Sequence, residues 1–335
     1  MSTRTICCVL LMALRAGNAA WAARAEESAQ AGLRGPVMGY VLDATTEAIR
    51  PVNGIPGSSV LGQPLVLPFP VAAAAFSPRG DFALVTSASD DHTAYVLRNL
   101  GDAPNIDPIE GGISGADRVF LNADASAGVL LASDGRRLQF LQRLPASPMV
   151  GPLLDLSSIS ETITALAIDR TGSNVLIAVS DAHGALFLAT PDLQVPRLIA
   201  NFGSPTAVAF LNGDQDVIVA DAATNEITLL RNFAGMPQAF RLAGERDGVS
   251  GPVGLRISPD SRKLYIASAP SRTLDIWNFE AQSIEASYPL DTEPTRLTPL
   301  RGSSIFLLND VGDHPLVLLD AALDPAVYFV PAGRD

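Results

Sequence analysis

The sequence predicts an all-β protein, because one strand–turn–strand pattern recurs along most of the chain. The stretches AAFSPRGDFALVTSASD, LAIDRTGSNVLIAVSDA, VAFLNGDQDVIVADAAT and LRISPDSRKLYIASAPS each combine a short apolar run, a polar turn and a second apolar run. Two weaker copies, VFLNADASAGVLLASDG and LTPLRGSSIFLLNDVGD, complete a series with a spacing of about 41–48 residues. A period of this length built from short strands is typical of a β-propeller blade.

Each unit is predicted to hold four strands, named a to d from the axis outwards. Strand b, for example residues 175–179, is a continuous apolar run, as expected for a strand that is covered on both faces by neighbouring blades. Strand a carries small residues such as Ala73 and Ala165, which suit the crowded region around the axis. Strand d carries prolines such as Pro108 and Pro196, which suit an outer edge because proline donates no backbone hydrogen bond.

The number of units predicts a seven-bladed β-propeller. Six units extend from about residue 71 to residue 330, and residues 37–43 and 48–52 read as two further strands in the c and d positions, followed by PLVLPFP. A shortened first blade therefore completes one propeller domain over residues 37–331, since each blade buries its faces only against its neighbours. The alternative is a six-bladed ring with an extra N-terminal hairpin.

The N-terminal segment has the features of an export signal. Arg4 precedes an apolar run over residues 6–14, and the following small residues offer cleavage after Ala23 or Ala25. This run is too short to span a bilayer, which takes about 20 residues, and no later segment is long enough. We therefore expect a signal peptide over residues 1–25, a linker over residues 26–36, and a mature protein that is soluble, periplasmic or extracellular, without an integral membrane segment or a cysteine.

Composition excludes several classes of function. The formal net charge is −12 and 47% of the residues are apolar, so the chain has ample material for a core. Binding to nucleic acid is not expected, because it needs clustered lysine and arginine to neutralise phosphates. The chain contains no phosphate-binding loop, dinucleotide fingerprint or zinc-protease motif, so no organic cofactor is expected.

Residues 258–290, SPDSRKLYIASAPSRTLDIWNFEAQSIEASYPL, resemble one unit of the YVTN-type β-propeller repeat family. The matching features are the Ser-Pro-Asp turn that begins at Ser258, the Tyr-Ile-Ala core at 265–267 and the strand over 273–277, although Ser268 stands where the family has asparagine. Other units match less fully. The family occurs in exported bacterial proteins and is related to lactonase-like seven-bladed propellers, so the resemblance implies a fold and a location rather than a reaction.

Candidate ligand-binding residues follow the predicted b strands, where all three histidines stand beside acidic residues in SDDHT, SDAHG and NDVGDHP. Loops that leave strand b share a face with the connections from strand d to the next strand a, so these groups should surround one mouth of the central channel. The candidates are Asp90, Asp91, His92, Asp134, Asp181, His183, Asp221, Asp310 and His314, with Asp313 beside them.

Two interpretations of these residues stay open. Histidine and carboxylate together could hold a divalent cation or act as acid and base. Alternatively, each aspartate caps its own tight turn by accepting backbone hydrogen bonds. The three histidines fall in blades two, four and seven, which is too scattered around the ring for a compact three-histidine site.

A second set of candidates is Arg118, Arg256 and Arg296, which lie on or beside strand a. An arginine there could reach into the channel and bind an anionic ligand, or it could pair with a nearby acid.

These observations favour an exported binding or scaffold module that works through one loop-rich face. The alternative is a lactonase-like hydrolase whose aspartates and histidines hold a cation that polarises the substrate carbonyl. The pattern favours the binding role over the enzymatic one. The expected partner is a small molecule, a glycan or another exported protein, although aromatic residues, at 6% of the chain, are sparse for sugar stacking.

Overall fold

The computed structural model describes residues 35–331 except 102, 212, 303, 313, 323 and 324, so the predicted signal peptide and most of the predicted linker lie outside the described residues. The described chain forms seven antiparallel sheets, one of three strands and six of four. The all-β, seven-bladed propeller predicted from the sequence is therefore confirmed. Among the described residues, helical structure is limited to a 3-10 turn at Glu245–Asp247, and no helix could cross a bilayer.

Each blade is formed by consecutive strands. Blade 1 contains β1 (Val37–Asp43), β2 (Ala48–Ile55) and β3 (Ser58–Leu61); blade 2 contains β4 (Val71–Phe76), β5 (Phe82–Ser87), β6 (Ala94–Arg98) and β7 (Asn105–Pro108); blade 3 contains β8 (Ala116–Leu121), β9 (Ala127–Ala132), β10 (Arg137–Gln142) and β11 (Met149–Asp155). Blade 4 contains β12 (Thr162–Ile168), β13 (Val175–Ser180), β14 (Gly184–Ala189) and β15 (Arg197–Phe202).

The remaining three blades repeat this arrangement. Blade 5 contains β16 (Pro205–Phe210), β17 (Val217–Asp221), β18 (Glu226–Arg231) and β19 (Gln238–Ala243); blade 6 contains β20 (Pro252–Ile257), β21 (Lys263–Ser268), β22 (Thr273–Asn278) and β23 (Ser283–Pro289). Blade 7 contains β24 (Thr298–Arg301), β25 (Ile305–Leu307), β26 (Leu316–Asp320) and β27 (Ala326–Val330). In every four-stranded blade the strands pair in chain order, a to d.

The core lies between the blades. Every residue of β5, β9 and β17 is buried, because both faces of strand b are covered by neighbouring blades. One apolar cluster joins Leu84 of blade 2 to Leu130 of blade 3, and another joins Ile218 of blade 5 to Leu264 of blade 6. The continuous apolar runs of the sequence are therefore the surfaces that hold each blade to the next.

Blade 1 differs from the sequence-based prediction. It has three strands, and its innermost strand, β1, runs antiparallel to β24 of blade 7 and to β4 of blade 2. The start of β1 lies beside the end of β24, because the Arg301 side chain donates to the carbonyl of Val37. At the other end, the amide of Val71, the first residue of β4, donates to the carbonyl of Glu47 at 2.7 Å. In direction these strands correspond to b, c and d, so the prediction of c and d positions is wrong, and among the described residues blade 1 has no strand a.

Ring closure depends on packing, because among the described residues neither chain terminus adds a strand to the other's sheet. Met38 and Val41 of blade 1 share an apolar cluster with Leu300 and Leu318 of blade 7. The a–b turns of blades 7 and 2, on either side of blade 1, also meet directly. The amide of Gly302 in the first turn donates to the carbonyl of Pro78 in the second at 2.6 Å.

Replacing Gly39 with alanine should weaken this closure. A Cβ atom at Gly39 would lie 2.6 Å from both the backbone oxygen and the Cγ atom of Leu300, so one of the two blades must move. We expect a loss of about 1–3 kcal/mol in the free energy of unfolding, measured by urea denaturation. Gly312→Ala is the control, because no atom lies within 4 Å of its added Cβ. Equal stability of the two variants would contradict closure by tight packing at Gly39.

Candidate functional site

The connections after strands b and d share one face of the propeller, here called the upper face. Backbone hydrogen bonds join the two kinds of connection: Gly115 donates to Asp91 at 2.8 Å, Ala222 to Ser204 at 2.9 Å, and Ala269 to Gly251 at 3.1 Å. The predicted grouping of these loops on one face is therefore present, and the candidate aspartates and histidines lie on it.

Asp221 is the most fully engaged of the candidate carboxylates. Its side chain accepts hydrogen bonds from the amides of Gly203 at 2.6 Å, Ser204 at 2.8 Å, Ala223 at 3.0 Å and Thr224 at 3.4 Å. The residue is 3% exposed. The carboxylate thus fixes two loops of blade 5 and has little capacity left for a ligand.

Asp181 and Asp134 also hold the backbone of their own blades. The carboxylate of Asp181 accepts from the amide of Thr162 at 3.0 Å and from its hydroxyl at 3.1 Å, which ties the b–c turn of blade 4 to the start of β12. Asp134 accepts from the amide of Arg136 at 2.8 Å and lies 3.7 Å from the guanidinium of Arg137. Asp134 therefore caps its own turn, whereas Asp181 joins its turn to the neighbouring inner strand.

Asp310 and Arg296 form an ion pair on the same face. The hydroxyl of Thr295 also donates to Asp310, at 3.5 Å. Arg296 therefore pairs with a nearby acid, which is one of the two roles predicted for it.

The remaining candidates of the upper face do not converge. Asp90 and Asp91 are exposed and their side chains make no hydrogen bond, while His183 and His314 are exposed in other blades. His92 is half-buried, with its Nδ1 atom enclosed and without a hydrogen-bond partner. Asp313 lies outside the described residues. No group of three or more histidine, cysteine or acidic side chains within the described ranges could hold a metal ion.

The inner strands border a channel along the axis. Most residues of β4 keep partial exposure, whereas the neighbouring β5 is fully buried, so solvent reaches strand a from the axis. A β-bulge near the start of strand a recurs in blades 2 to 6, and in blade 7 the bulge lies towards the end of that strand; such bulges redirect side chains. In blades 4 and 5 the residue at the bulge is a threonine, Thr164 or Thr206, whose hydroxyl donates to the first residue of the next inner strand.

The two channel arginines differ in their surroundings. Arg118 donates to the carbonyl of Ile163 at 3.0 Å, and burial lowers its pKa while the neighbouring Asp117 opposes that shift. Arg256 has only a long contact of 3.5 Å to the carbonyl of Leu255, and its Nε atom is buried without a partner. Burial lowers the pKa of Arg256 to about 10.

Sequence reasoning missed a cleft on the upper face and two side-chain amides. The cleft encloses about 290 Å³ between the β1–β2 turn and the connection to β4, and it is lined by Thr46, Glu47, Ala48, Leu65, Leu67, Pro68, Phe69 and Pro70. Gln139 accepts from Ile113 at 2.7 Å, and Asn225 accepts from Gly251 at 2.7 Å, so both fix d–a connections. The apolar PLVLPFP stretch was the one signal of the cleft in the sequence.

Comparison with solved structures agrees with this architecture. A protein from Lactobacillus plantarum has a TM-score of 0.60 at 12% identity, covering 88% of this chain and 96% of its own. Hydrazine synthase from Kuenenia stuttgartiensis has a TM-score of 0.58 at 12% identity, covering 88% and 99%. A proposed 6-phosphogluconolactonase from Bacteroides uniformis has a TM-score of 0.54 at 13% identity, covering 88% and 96%.

The chain has the fold of the lactonase-like seven-bladed propellers. No protein-family model matches the sequence, and the comparison with curated proteins gives no match. At these identities the similarity shows the fold alone, and the role of the upper face has to be argued from its own residues.

The role of Asp221 as a structural cap gives a direct test. Asp221→Ala should leave four partly buried amides without their acceptor and lower the free energy of unfolding by roughly 1–3 kcal/mol, measured by urea denaturation. Asp90→Ala is the matched control on an equivalent loop, and we expect it to stay within about 0.5 kcal/mol of the parent protein because its side chain is exposed and unbonded. A similar loss in both variants would show that the cap is not specific to Asp221.

Proposed function

We propose that the protein is an exported binding module whose upper face recognises a basic segment of another exported protein. The observation that supports the proposal is that some carboxylates of this face are bonded to the protein while others are free. Asp134, Asp181 and Asp221 are used to hold turns, whereas Asp90 and Asp91 are exposed and unbonded. Free, dispersed carboxylates suit an extended partner better than a single coordinated ion.

The charge of the upper face supports a positively charged partner. Exposed acids that form no salt bridge outnumber the equivalent bases: the acids are Glu47, Asp90, Asp91, Glu110, Glu245 and Asp291, and the bases are Arg136 and Arg246. A surface of one sign attracts partners of the opposite sign and speeds their association, an effect that salt weakens.

The cleft gives such a partner a place to insert a side chain. Its walls are the apolar Leu65, Leu67, Phe69 and neighbouring prolines, and Glu47 is its one acid. Lysine and arginine combine an apolar stem with a charged head, so their stems can pack on the walls while the head meets the carboxylate. A glycan has weaker support, because Phe69 already stacks on Tyr95 with the ring centroids 4.4 Å apart.

The lactonase-like hydrolase predicted as the alternative would need a different arrangement. A catalytic cation requires about three protein ligands around one open position. Within the described part of the chain the candidate ligands are engaged with backbone amides or belong to separate blades. The arrangement of these side chains therefore supports binding rather than metal-assisted hydrolysis.

Binding to a basic peptide tests the proposed role. We expect a fluorescent hexalysine peptide to bind the mature protein in an anisotropy titration, and Glu47→Gln with Asp90→Asn to weaken binding roughly threefold to tenfold, because two partner charges are lost. The matched control is Glu280→Gln with Asp192→Asn, which removes the same charge from exposed acids on the opposite face.

The outcome distinguishes recognition from bulk charge. Equal weakening in the two double variants would mean that net charge alone attracts the peptide, and that result contradicts the proposal. Saturable Ca²⁺ or Mg²⁺ binding together with lactone hydrolysis would favour the hydrolase instead.

Export can be tested on the same chain. In a bacterial host the full-length protein should be recovered outside the cytoplasm with Glu26 or Arg24 as its first residue, read by mass spectrometry, because the apolar run is followed by cleavable small residues. Leu10→Arg interrupts that run and should leave the uncleaved protein in the cytoplasm, whereas Ser28→Arg should be processed normally. Cytoplasmic retention of the unmodified chain contradicts the proposed export.

A further inference from the structure

Arg256 lies at the inner end of the interface between blades 6 and 7. Along β20 the side chains alternate: Leu255 and Ile257 pack in the cluster shared with blade 5, while a Cβ atom on Gly254 would point at Leu297 of blade 7, 2.6 Å from its Cβ atom. Arg256 follows Gly254 by two residues and therefore faces blade 7.

The inner strands of blades 6 and 7 pack less extensively on each other than those of blades 5 and 6. β20 packs closely on β16 of blade 5 but not on β24 of blade 7, which is short. The cross-strand neighbour of Arg256 is Tyr265, whose ring packs on Phe306 with the centroids 5.5 Å apart. The Nε atom of Arg256 is enclosed by protein, while the residue keeps partial exposure on a strand that borders the axial channel.

The buried charge of Arg256 has no protein counterpart. Its Nε atom is enclosed without a hydrogen bond, and no acidic side chain in the described ranges forms a salt bridge with it. Other enclosed or inner arginines are compensated: Arg50 pairs with Asp43 at 3.4 Å, Arg296 pairs with Asp310, and Arg118 has Asp117 beside it. A buried cation without a partner is costly, so Arg256 is the exception that needs a reason.

We propose that Arg256 binds a small oxyanion, a carboxylate or a phosphate group, in the channel between blades 6 and 7. The planar guanidinium offers paired N–H donors that match two oxygens of such a group, and the enclosed surroundings strengthen the attraction. Bound oxyanion supplies both the missing negative charge and acceptors for Nε and its neighbouring amino group. This site is separate from the upper face and goes beyond the function proposed above.

The low pKa of Arg256 is consistent with this site. Burial lowers it to about 10, below its ordinary value, so the unliganded fold disfavours the charged form. The unfavourable contribution is fully present below about pH 10 and decreases as the pH rises from there towards the ordinary pKa of arginine. An anion that enters the site at neutral pH reverses the effect by stabilising the charge.

Thermal unfolding with defined anions tests the site. Sulfate, phosphate and acetate are titrated separately into the mature protein at constant ionic strength, with chloride as the balancing ion. We expect a saturable rise in Tm with at least one of them, and a dissociation constant at least tenfold weaker in Arg256→Met, which keeps the apolar stem but removes the donors. A saturable response to phosphate and sulfate shows that the site binds a phosphate group, and a saturable response to acetate shows that it binds a carboxylate.

The control and a second measurement make the result decisive. Arg79→Met removes an exposed arginine and should keep the saturable response. A linear rise shared by all variants is the general effect of excluded salts and would overturn the proposal. Should Arg256→Met fail to fold, crystals of the unmodified protein decide the matter, grown with selenate when phosphate or sulfate saturates and with bromoacetate when acetate does: an anomalous peak beside the Arg256 guanidinium is expected, and its absence refutes the site.

Discussion

Each four-stranded blade buries both faces of its second strand against its neighbours, and this packing is the constraint on which the other features depend. β5, β9 and β17 are buried along their whole length, so a blade separated from the ring would expose two apolar faces. The ring must therefore close, and it closes here by side-chain packing rather than by a shared sheet. Gly39 allows β1 to approach Leu300, and the Gly302–Pro78 hydrogen bond joins the two turns on either side of blade 1.

Closure around an axis also shapes the inner strands. Alanines such as Ala73 and Ala165 let the inner strands approach one another closely. The recurring bulges redirect one residue in each inner strand. In blades 4 and 5 that residue is a threonine whose hydroxyl donates to the next blade. Large polar groups are rare on these strands because every one of them must find a partner. Arg118 finds one in the backbone of blade 4, whereas Arg256 has only a long contact to the carbonyl of Leu255 and its Nε atom is unbonded.

The sequence predicted the features that repeat and missed the ones that occur once. The forty-odd-residue period and the continuous apolar b strands were enough for the seven-bladed ring, because every blade contributes to both signals. Blade 1 was misread: alternation along β1 and β2 does not reveal strand direction, and the short β3 carries little apolar signal. The candidate site was predicted at the level of its face but not of its chemistry, because Asp221 and Asp90 follow equivalent strands and only the fold shows which one faces backbone amides.

The irregular blade and the proposed binding surface coincide for a physical reason. Without strand a, blade 1 reaches blade 2 through a long connection that runs back along β2, where the amide of Leu65 donates to Ile49 at 2.8 Å, before Val71 starts β4 beside Glu47. That path leaves a recess between the turn at Glu47 and the apolar residues of the connection. The adjoining b–c loop of blade 2 carries Asp90 and Asp91, which have no turn to hold. In blades 3, 4, 5 and 7 the acids Asp134, Asp181, Asp221 and Asp310 of the b–c loops bond to the fold, whereas Asp90 and Asp91, beside the irregular blade, stay free for a partner.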